Sequence, residues 1–298
     1  AELPCLIVNV QRGGPGLGTI QPSQSDYFQA CKGGGHGDYR LIVLAPNSVQ
    51  EMADFVELAF DLAFKYRNPA MILSDGVIGQ MMEKVVLPPY KPRRTEEEIE
   101  QQCPWASTGR KNNREKNVIT SLELQPDQME KKNLKLQAKY REIEKNEVRY
   151  ETLNCEDADY IIVAFGSSAR IGQKAMELAR ESGIKVGLFR PITLWPFPYK
   201  AIEELSKKTK GMLSVEINAG QMVEDVRLDK RQMQYLYNDG TFLNFMDQET
   251  YEQIQISKDR LEWEKQFLKG EEVIEITSYE GEILGINLPA KVALKIVE

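Results

Sequence analysis

The sequence predicts an α/β protein built of parallel three-layer units and followed by a small antiparallel β-barrel. Short apolar runs alternate with amphipathic helical stretches over residues 6–74 and again over residues 159–217. From about Asp229 onward the pattern changes to short strands separated by tight turns, of which 238–240 (NDG) is the clearest. The change from parallel α/β to antiparallel β marks a domain boundary.

The first predicted domain, residues 1–87, opens with a strand at 6–10 that ends in a glycine-rich turn. Further strands are predicted at 40–44 and 69–74. Asn47 or Ser48 caps the helix between them, whose apolar positions recur at helical spacing. Strands joined by such a helix indicate a parallel sheet covered on both faces.

Residues 88–152 are predicted to form a charged helical connector. Three prolines within residues 88–92 break the preceding pattern, and the residues after Pro126 are typical of one long exposed helix. Its charges alternate in sign, which favours a solvated helix with i,i+4 pairs over a surface that docks a partner.

Residues 153–228 form the third predicted domain, with strands at 160–165, 185–189 and 212–217 and helices at 169–182 and 198–207. This order predicts a right-handed parallel unit. Gly183 stands where a helix-terminating glycine is expected. The turn at 166–168 (GSS) favours ordinary helix capping over an anion site.

The fourth domain, residues 229–298, has predicted strands at 233–237, 242–246, 251–256, 273–278 and 292–297, with a helix at 258–268. Three strands, a helix and two strands is the order of an OB-type β-barrel. Its alternating aromatic residues are more typical of a hairpin core than of a base-stacking platform.

Composition excludes several functional classes. The net charge of −7 argues against broad binding to a nucleic-acid backbone, and no apolar run reaches the length of a membrane span. The first eight residues indicate a buried strand and not a signal peptide, so we expect the chain to begin inside a domain. A cytoplasmic location is expected.

Neither a metal site nor a catalytic residue is predicted. Cys5, Cys31, Cys103 and Cys155 are too scattered for an iron–sulfur cluster, a zinc site or a disulfide framework. His36, the one histidine, lies in a glycine-rich loop without an identifiable catalytic neighbour.

Four separated blocks carry a resemblance to a known family over about residues 1–228. They are residues 7–15 (IVNVQRGGP), 21–26 (QPSQSD), 189–197 (FRPITLWPF) and 220–226 (GQMVEDV). In this order they resemble the α-type subunit of the 2-oxoacid:ferredoxin oxidoreductases, and most of all the branched-chain 2-oxoisovalerate type. The resemblance implies that residues 1–87 are part of a thiamine-diphosphate pyrimidine-type domain. It also implies that residues 153–228 form a transketolase C-terminal-like domain.

The resemblance implies oxidative decarboxylation of a 2-oxoacid on thiamine diphosphate, transfer of the acyl group to coenzyme A, and electron transfer to ferredoxin. Thiamine diphosphate and Mg²⁺ are expected mostly on a β-type partner subunit, and iron–sulfur clusters on other subunits. The glutamate that activates the cofactor in this family is expected upstream of Ala1. The fragment is therefore expected to have little activity alone.

Arg12 matches the family arginine that binds the substrate carboxylate. A guanidinium fits a carboxylate through two parallel hydrogen bonds, although an exposed loop salt bridge is the alternative. Gly13 and Gly14 would let the backbone approach a substrate closely, and a structural turn explains them equally well.

A second resemblance begins near Asp229. Residues 230–240 (KRQMQYLYNDG) and 245–253 (FMDQETYEQ) resemble the middle OB domain of bacterial elongation factor P. This likeness implies a ribosome-binding module as an alternative function. The domain is acidic, with eight Lys and Arg against fourteen Asp and Glu. No linker separates the two resemblances, so a composite chain with neither activity is a third hypothesis.

Overall fold

The computed structural model shows two compact units, Ala1–Asp225 and Val226–Glu298. It describes residues 1–109, 115–223, 229–248, 250–258, 261, 265, 268, 273–279 and 282–287. The predicted strand at 292–297 lies outside the described residues, as does most of the predicted helix at 258–268.

The first sheet contains strands β1 (Leu6–Gln11), β2 (Ile42–Leu44), β3 (Ala70–Asp75) and β7 (Thr193–Trp195), in the order β1-β3-β2-β7. The β1–β3 and β2–β3 pairs are parallel, as predicted. Strand β7 pairs antiparallel with β2. No strand was predicted at β7, because three residues are too few to show strand periodicity.

Three helices accompany this sheet: α1 (Tyr27–Cys31), α2 (Val49–Tyr66) and α3 (Gly76–Gln80). Helix α2 begins at a Ser48 cap, whose side chain accepts a hydrogen bond from Glu51 N at 3.1 Å. It buries one apolar face, including Phe55, Ala59 and Leu62. Helices α1 and α3 were not predicted, because five residues each are too few to show helical periodicity.

The predicted connector contains α4 (Glu96–Gln102) and α5 (Pro126–Asn146). Thr95 and Glu98 form a capping box at the start of α4. Helix α5 is exposed along most of its length, but Tyr140 and Ile143 are buried, and Tyr140 packs edge-on against Trp195. Of the helices in the described part of the chain, none is long and apolar enough to cross a membrane.

The second sheet contains β4 (Tyr150–Leu153), β5 (Tyr160–Ala164), β6 (Val186–Pro191) and β8 (Gly211–Val215), in the order β4-β6-β5-β8. Strand β5 pairs in parallel with β6 and β8, as predicted. Strand β4 is an antiparallel edge strand. It spans the expected connector boundary at residue 152.

Helices α6 (Gly166–Glu181) and α7 (Tyr199–Ser206) belong to this half of the unit. Ala169 and Met176 of α6 pack in one core with Ile162 and Leu188 of the sheet. Gly183 follows α6 with a φ of +82°, which suits the predicted C-terminal glycine.

The unit Val226–Glu298 contains β9 (Asp229–Asn238), β10 (Phe242–Asp247), β11 (Gln253–Ser257), β12 (Val273–Tyr279) and β13 (Glu282–Asn287). All pairs are antiparallel, in the order β11-β10-β9-β12-β13, which fits the OB-type region. Gly240 has a φ of +109° in the predicted hairpin turn. Tyr235 and Phe245 are core residues, whereas Tyr237 and Phe242 are exposed.

Two charged clusters, each built around one buried side chain, join elements of Ala1–Asp225. Glu147 is buried and accepts hydrogen bonds from Lys65 at 2.6 Å and Tyr66 at 2.6 Å, and its second oxygen pairs with Arg149 at 2.8 Å. Burial alone would raise the pKa of Glu147, but these partners together hold that pKa below its ordinary value. Arg190 likewise binds Glu51 through both terminal nitrogens and Glu151 through Nε.

We predict that Glu147→Gln lowers the free energy of unfolding at pH 7 by about 1–3 kcal/mol, because it weakens a buried charge-assisted network. Because the folded-state pKa lies below the ordinary value of 4.5, the contribution of this carboxylate is fully present above that value. It is lost as the pH falls through the folded-state pKa. Chemical denaturation at several pH values should therefore show a difference that shrinks at acid pH.

The matched control is Glu144→Gln, which changes an exposed glutamate in the last turn of α5, three residues before Glu147. It should leave the unfolding free energy within about 0.5 kcal/mol of the parent chain. Equal effects of the two substitutions would contradict the role given to Glu147.

Candidate substrate site at the carboxyl ends of the strands

The buried side chain of Gln24 connects the carboxyl ends of strands from both sheets of Ala1–Asp225. Its Nε2 donates to Phe165 O after β5 at 2.9 Å and to Asp75 Oδ2 at the end of β3 at 3.2 Å. Its Oε1 accepts from Ser168 Oγ at 2.9 Å and from Ile217 N after β8 at 3.1 Å. Gln24 is fully buried, and all four bonds satisfy polar groups removed from water.

Asp75 is the second centre of this network. Its Oδ1 accepts from Val77 N and Ile78 N at the start of α3, and its Oδ2 accepts from Ser167 N at 2.9 Å. The anion at the start of α6 is thus a carboxylate of the same chain. Gly166 makes this approach possible, because a Cβ there would lie 2.7 Å from Asp75 Oδ2. Gly166 also has a φ of +58°.

Two of the sequence blocks meet at this network. Gln24 N donates to Ile217 O at 2.8 Å, and Asn218 Nδ2 donates to Gln24 O at 2.9 Å. Gln221 Nε2 donates to Ser25 O at 2.8 Å. The segments 21–26 and 217–221, almost two hundred residues apart, therefore form one hydrogen-bonded surface.

Arg12 stands at the base of an exposed loop that leaves β1 and returns to the network. Arg12 forms an antiparallel β-bridge with Pro22. Within the loop, next to this bridge, Gly13 N donates to Gln21 O at 2.9 Å. The Nη1 of Arg12 donates to Leu17 O and to Thr19 O, the latter at 3.1 Å. Its Nε and Nη2 make no hydrogen bond to the described residues. They form one edge of the guanidinium that a carboxylate could bind.

The loop glycines differ in what they allow. A Cβ at Gly13 would lie 2.4 Å from the Thr19 methyl group, and one at Gly18 would lie 1.8 Å from Gly13 O. Loop closure therefore accounts for both. A Cβ at Gly14 would meet nothing within 4 Å, so its backbone faces open space. Gly14 remains the better candidate of the two predicted glycines for close approach by a substrate.

The free edge of the Arg12 guanidinium is a group that an organic carboxylate could bind through two hydrogen bonds. The described residues contain no cluster of three or more His, Cys, Asp and Glu that could hold a metal ion. Nearby Asp26 accepts from Asn9 Nδ2 at 2.9 Å, and its amide donates to Gln11 Oε1. A diphosphate with Mg²⁺ needs several free oxygen ligands, so these residues do not fit it. His36 lies exposed in its loop.

Residues 1–152 match the family described as pyruvate flavodoxin/ferredoxin oxidoreductase, thiamine diphosphate-binding. The chain belongs to this family. Residues 158–247 match the core domain II of pyruvate:ferredoxin oxidoreductase. The resemblance carried by the four sequence blocks is thereby confirmed.

Similar proteins cover the same part of the chain. The ketoisovalerate oxidoreductase subunit VorB of Methanothermobacter marburgensis is 51% identical over 228 residues, which is 76% of this chain and 63% of the relative. The 2-oxoglutarate synthase subunit KorA of Methanocaldococcus jannaschii is 36% identical over 243 residues, covering 76% of this chain and 65% of the relative. The chain thus spans less than two thirds of the length of these relatives.

A similar solved structure is the 2-oxoglutarate:ferredoxin oxidoreductase from Magnetococcus marinus with 2-oxoglutarate, coenzyme A and succinyl-CoA bound. It has a TM-score of 0.60 and 27% identity, and the match covers 75% of this chain and 43% of that one. The parallel α/β architecture of the first unit agrees with this likeness.

Residues 228–286 match the OB domain of elongation factor P. Elongation factor P of Mesoplasma florum is 44% identical over 98 residues, which is 33% of this chain and 53% of the relative. The second resemblance is therefore confirmed as well. Two unrelated likenesses in one chain fit a chimera.

Sequence reasoning identified Arg12 but gave no role to Gln24, Asp75 or Asn218. Gln24 lies inside a block that carried the family resemblance. The resemblance therefore pointed to its position but not to its hydrogen-bond partners. Asp75 follows a buried strand and precedes a glycine, a position typical of a helix cap. That signal could have found it.

We predict that Gln24→Leu lowers the free energy of unfolding of Ala1–Asp225 by at least about 3 kcal/mol, because it leaves several buried polar groups without partners. Urea denaturation followed by circular dichroism measures the change. Gln29→Leu, the control at an exposed position nearby, should change the free energy of unfolding by less than about 0.5 kcal/mol. A small effect at Gln24 would show that the network does not hold the strand ends together.

Proposed function

We propose that the chain is an incomplete α-type subunit of an oxidoreductase that decarboxylates a branched-chain 2-oxoacid to its acyl-CoA and passes electrons to ferredoxin. The observation that carries this proposal is the Arg12 loop, anchored at the carboxyl ends of the strands in a chain of this family. The 51% identity to a ketoisovalerate oxidoreductase subunit supports the branched-chain substrate.

Arg12 would bind the carboxylate of the 2-oxoacid. Its Nη1 is already held by Leu17 O and Thr19 O, so the guanidinium plane is fixed before a substrate arrives. The Nε–Nη2 edge then supplies two parallel donors at little further entropic cost. Gly14 would leave room for the substrate beside the loop, and Gly13 would hold the turn that presents it.

Other chains would supply the rest of the reaction. Thiamine diphosphate, whose role is to stabilise the carbanion formed on decarboxylation, would bind with Mg²⁺ mostly on a β-type partner subunit. Iron–sulfur subunits and ferredoxin would carry the electrons, and coenzyme A would be the co-substrate. The succinyl-CoA in the similar solved structure supports that acyl acceptor. Four free cysteines support a reducing, cytoplasmic location.

We also propose the division of the chain into residues 1–87, 88–152, 153–228 and 229–298 as its evolutionary domains. The first and third of these share a sheet through β7, so they would fold as one unit.

We predict that Arg12→Ala raises the KM for a branched 2-oxoacid by about tenfold to a hundredfold in an assembly with a β-type partner, because a charge-assisted bidentate contact is lost. The KM of Arg12→Lys should lie between those of the parent chain and Arg12→Ala, since lysine keeps the charge and loses the planar fork. The assay contains coenzyme A and an artificial electron acceptor.

Arg93→Ala is the matched control, because Arg93 is an exposed arginine of the same unit. It should leave KM within about twofold of the parent. An active assembly whose KM is unchanged in Arg12→Ala would contradict the substrate role. Catalysis by the purified chain without a partner would contradict its being incomplete.

A second candidate function is ribosome binding by residues 229–298, which the match to the elongation factor P OB domain favours. The net negative charge of these residues disfavours non-specific binding to nucleic acid. Co-sedimentation with ribosomes should disappear when residues 229–298 are deleted. Co-sedimentation that survives the deletion would contradict this candidate function. A folded chain that is inactive in the oxidoreductase assay and does not bind ribosomes would support a chimera with neither activity.

A further inference from the structure

An open groove lies between helices α3 and α6, on a side of α6 that its own sheet does not cover. Its volume is about 470 Å³, within the range of roughly 300–1,000 Å³ typical of small-molecule sites. Val77 and Met81 form one wall, and Ile171 and Leu178 form the other. The walls are almost entirely apolar.

Helix α6 therefore has two apolar faces. One packs on the sheet through Ala169 and Met176. The other carries Ser167, Ile171 and Leu178, which are four and seven residues apart and so lie along one stripe. Ile171 is 63% exposed and Leu178 is 52% exposed, so both side chains are open to a ligand in the groove.

The charged side chains that line the groove are both cations. Of the described residues that line it, Arg170 and Lys174 are cations and none is acidic. Arg170 pairs with Glu83 at 2.8 Å and Lys174 pairs with Glu177 at 3.0 Å. Both pairs are partly exposed and hence weak, so an anionic ligand can exchange with them.

Ser167 supplies an independent sign of a ligand. It lines the groove and is 2% exposed, and its hydroxyl oxygen has no hydrogen-bond partner among the described residues. An unpartnered buried hydroxyl is unfavourable, and a ligand oxygen would satisfy it once the Ser167 side chain turns its hydroxyl towards the groove. The carboxylate of Asp75 behind it already accepts four N–H hydrogen bonds, from Val77, Ile78, Ser167 and Gln24.

We propose that this groove binds an amphiphilic monocarboxylate, an aliphatic chain with one anionic head. The head lies at the end formed by Ser167 and Arg170, with Lys174 beside it. The chain runs along α6 towards Leu178, a span of about 16 Å at 1.5 Å per residue. The site uses neither Arg12 nor the loop glycines, so it stands apart from the proposed oxidoreductase function.

Isothermal titration calorimetry of the full chain with octanoate tests the proposal, with acetate and octan-1-ol as probes that lack the tail or the charge. Octanoate should bind saturably and at least about tenfold more tightly than either. Ile171→Glu should weaken octanoate binding by at least about tenfold, and Lys174→Gln by about threefold. Ile184→Glu, a half-exposed isoleucine outside the lining, is the control and should change it by less than about twofold.

Circular dichroism confirms that each variant is folded, and Ala175→Glu, four residues further along the same lining, replaces Ile171→Glu if that variant is not. Equal octanoate affinity in the groove variant and the parent would overturn the proposal. So would octan-1-ol binding as tightly as octanoate, or no saturable binding at all. Self-association that Ile171→Glu abolishes, measured by sedimentation, would assign the groove to a second copy of the chain and also overturn it.

Discussion

The first unit depends on a buried carboxylate and a buried amide that share their hydrogen bonds. Asp75 accepts hydrogen bonds from four N–H groups, and the side chain of Gln24 makes four hydrogen bonds. Both side chains are buried. A buried polar group without partners is costly, so each segment at this point must keep its position for the others to be satisfied. The start of α6 must carry glycine at position 166 for the same reason.

This constraint explains how an exposed loop can present a fixed side chain. The segment after Pro22 is held by the network, while the loop before it lies on the surface. Arg12 stands between the two, at the end of β1 and opposite Pro22. Sites of α/β proteins commonly form at the carboxyl ends of parallel strands, because side chains from several strands converge there. Here the convergence holds the strand ends together, and under the proposed function the loop would supply the charged group.

Local signals in the sequence were sufficient for the features that depend on local physics. The Ser48 cap, the glycine after α6 and the hairpin turn at Gly240 each follow from one residue's own conformational preference. Strands β4 and β7 were not predicted, because each is a short edge strand defined by its partner. The partners of Gln24 lie 51 to 193 residues away, a separation that a single sequence does not reveal. The family resemblance located Arg12 and the adjacent motif, but only the structure showed that this motif anchors the loop.

Hydrogen exchange of the intact chain tests the central claim most directly, since it reports on individual amides in the network and in the loop. The amides of Gln24, Ser167 and Ile217 each donate to a group within the network. They should exchange as slowly as the amides of the central strands β3 and β5, while the loop amides of residues 16–18 exchange rapidly. Network amides that exchange as fast as those of the loop would contradict the claim that Gln24 and Asp75 hold the strand ends and the root of the Arg12 loop in place.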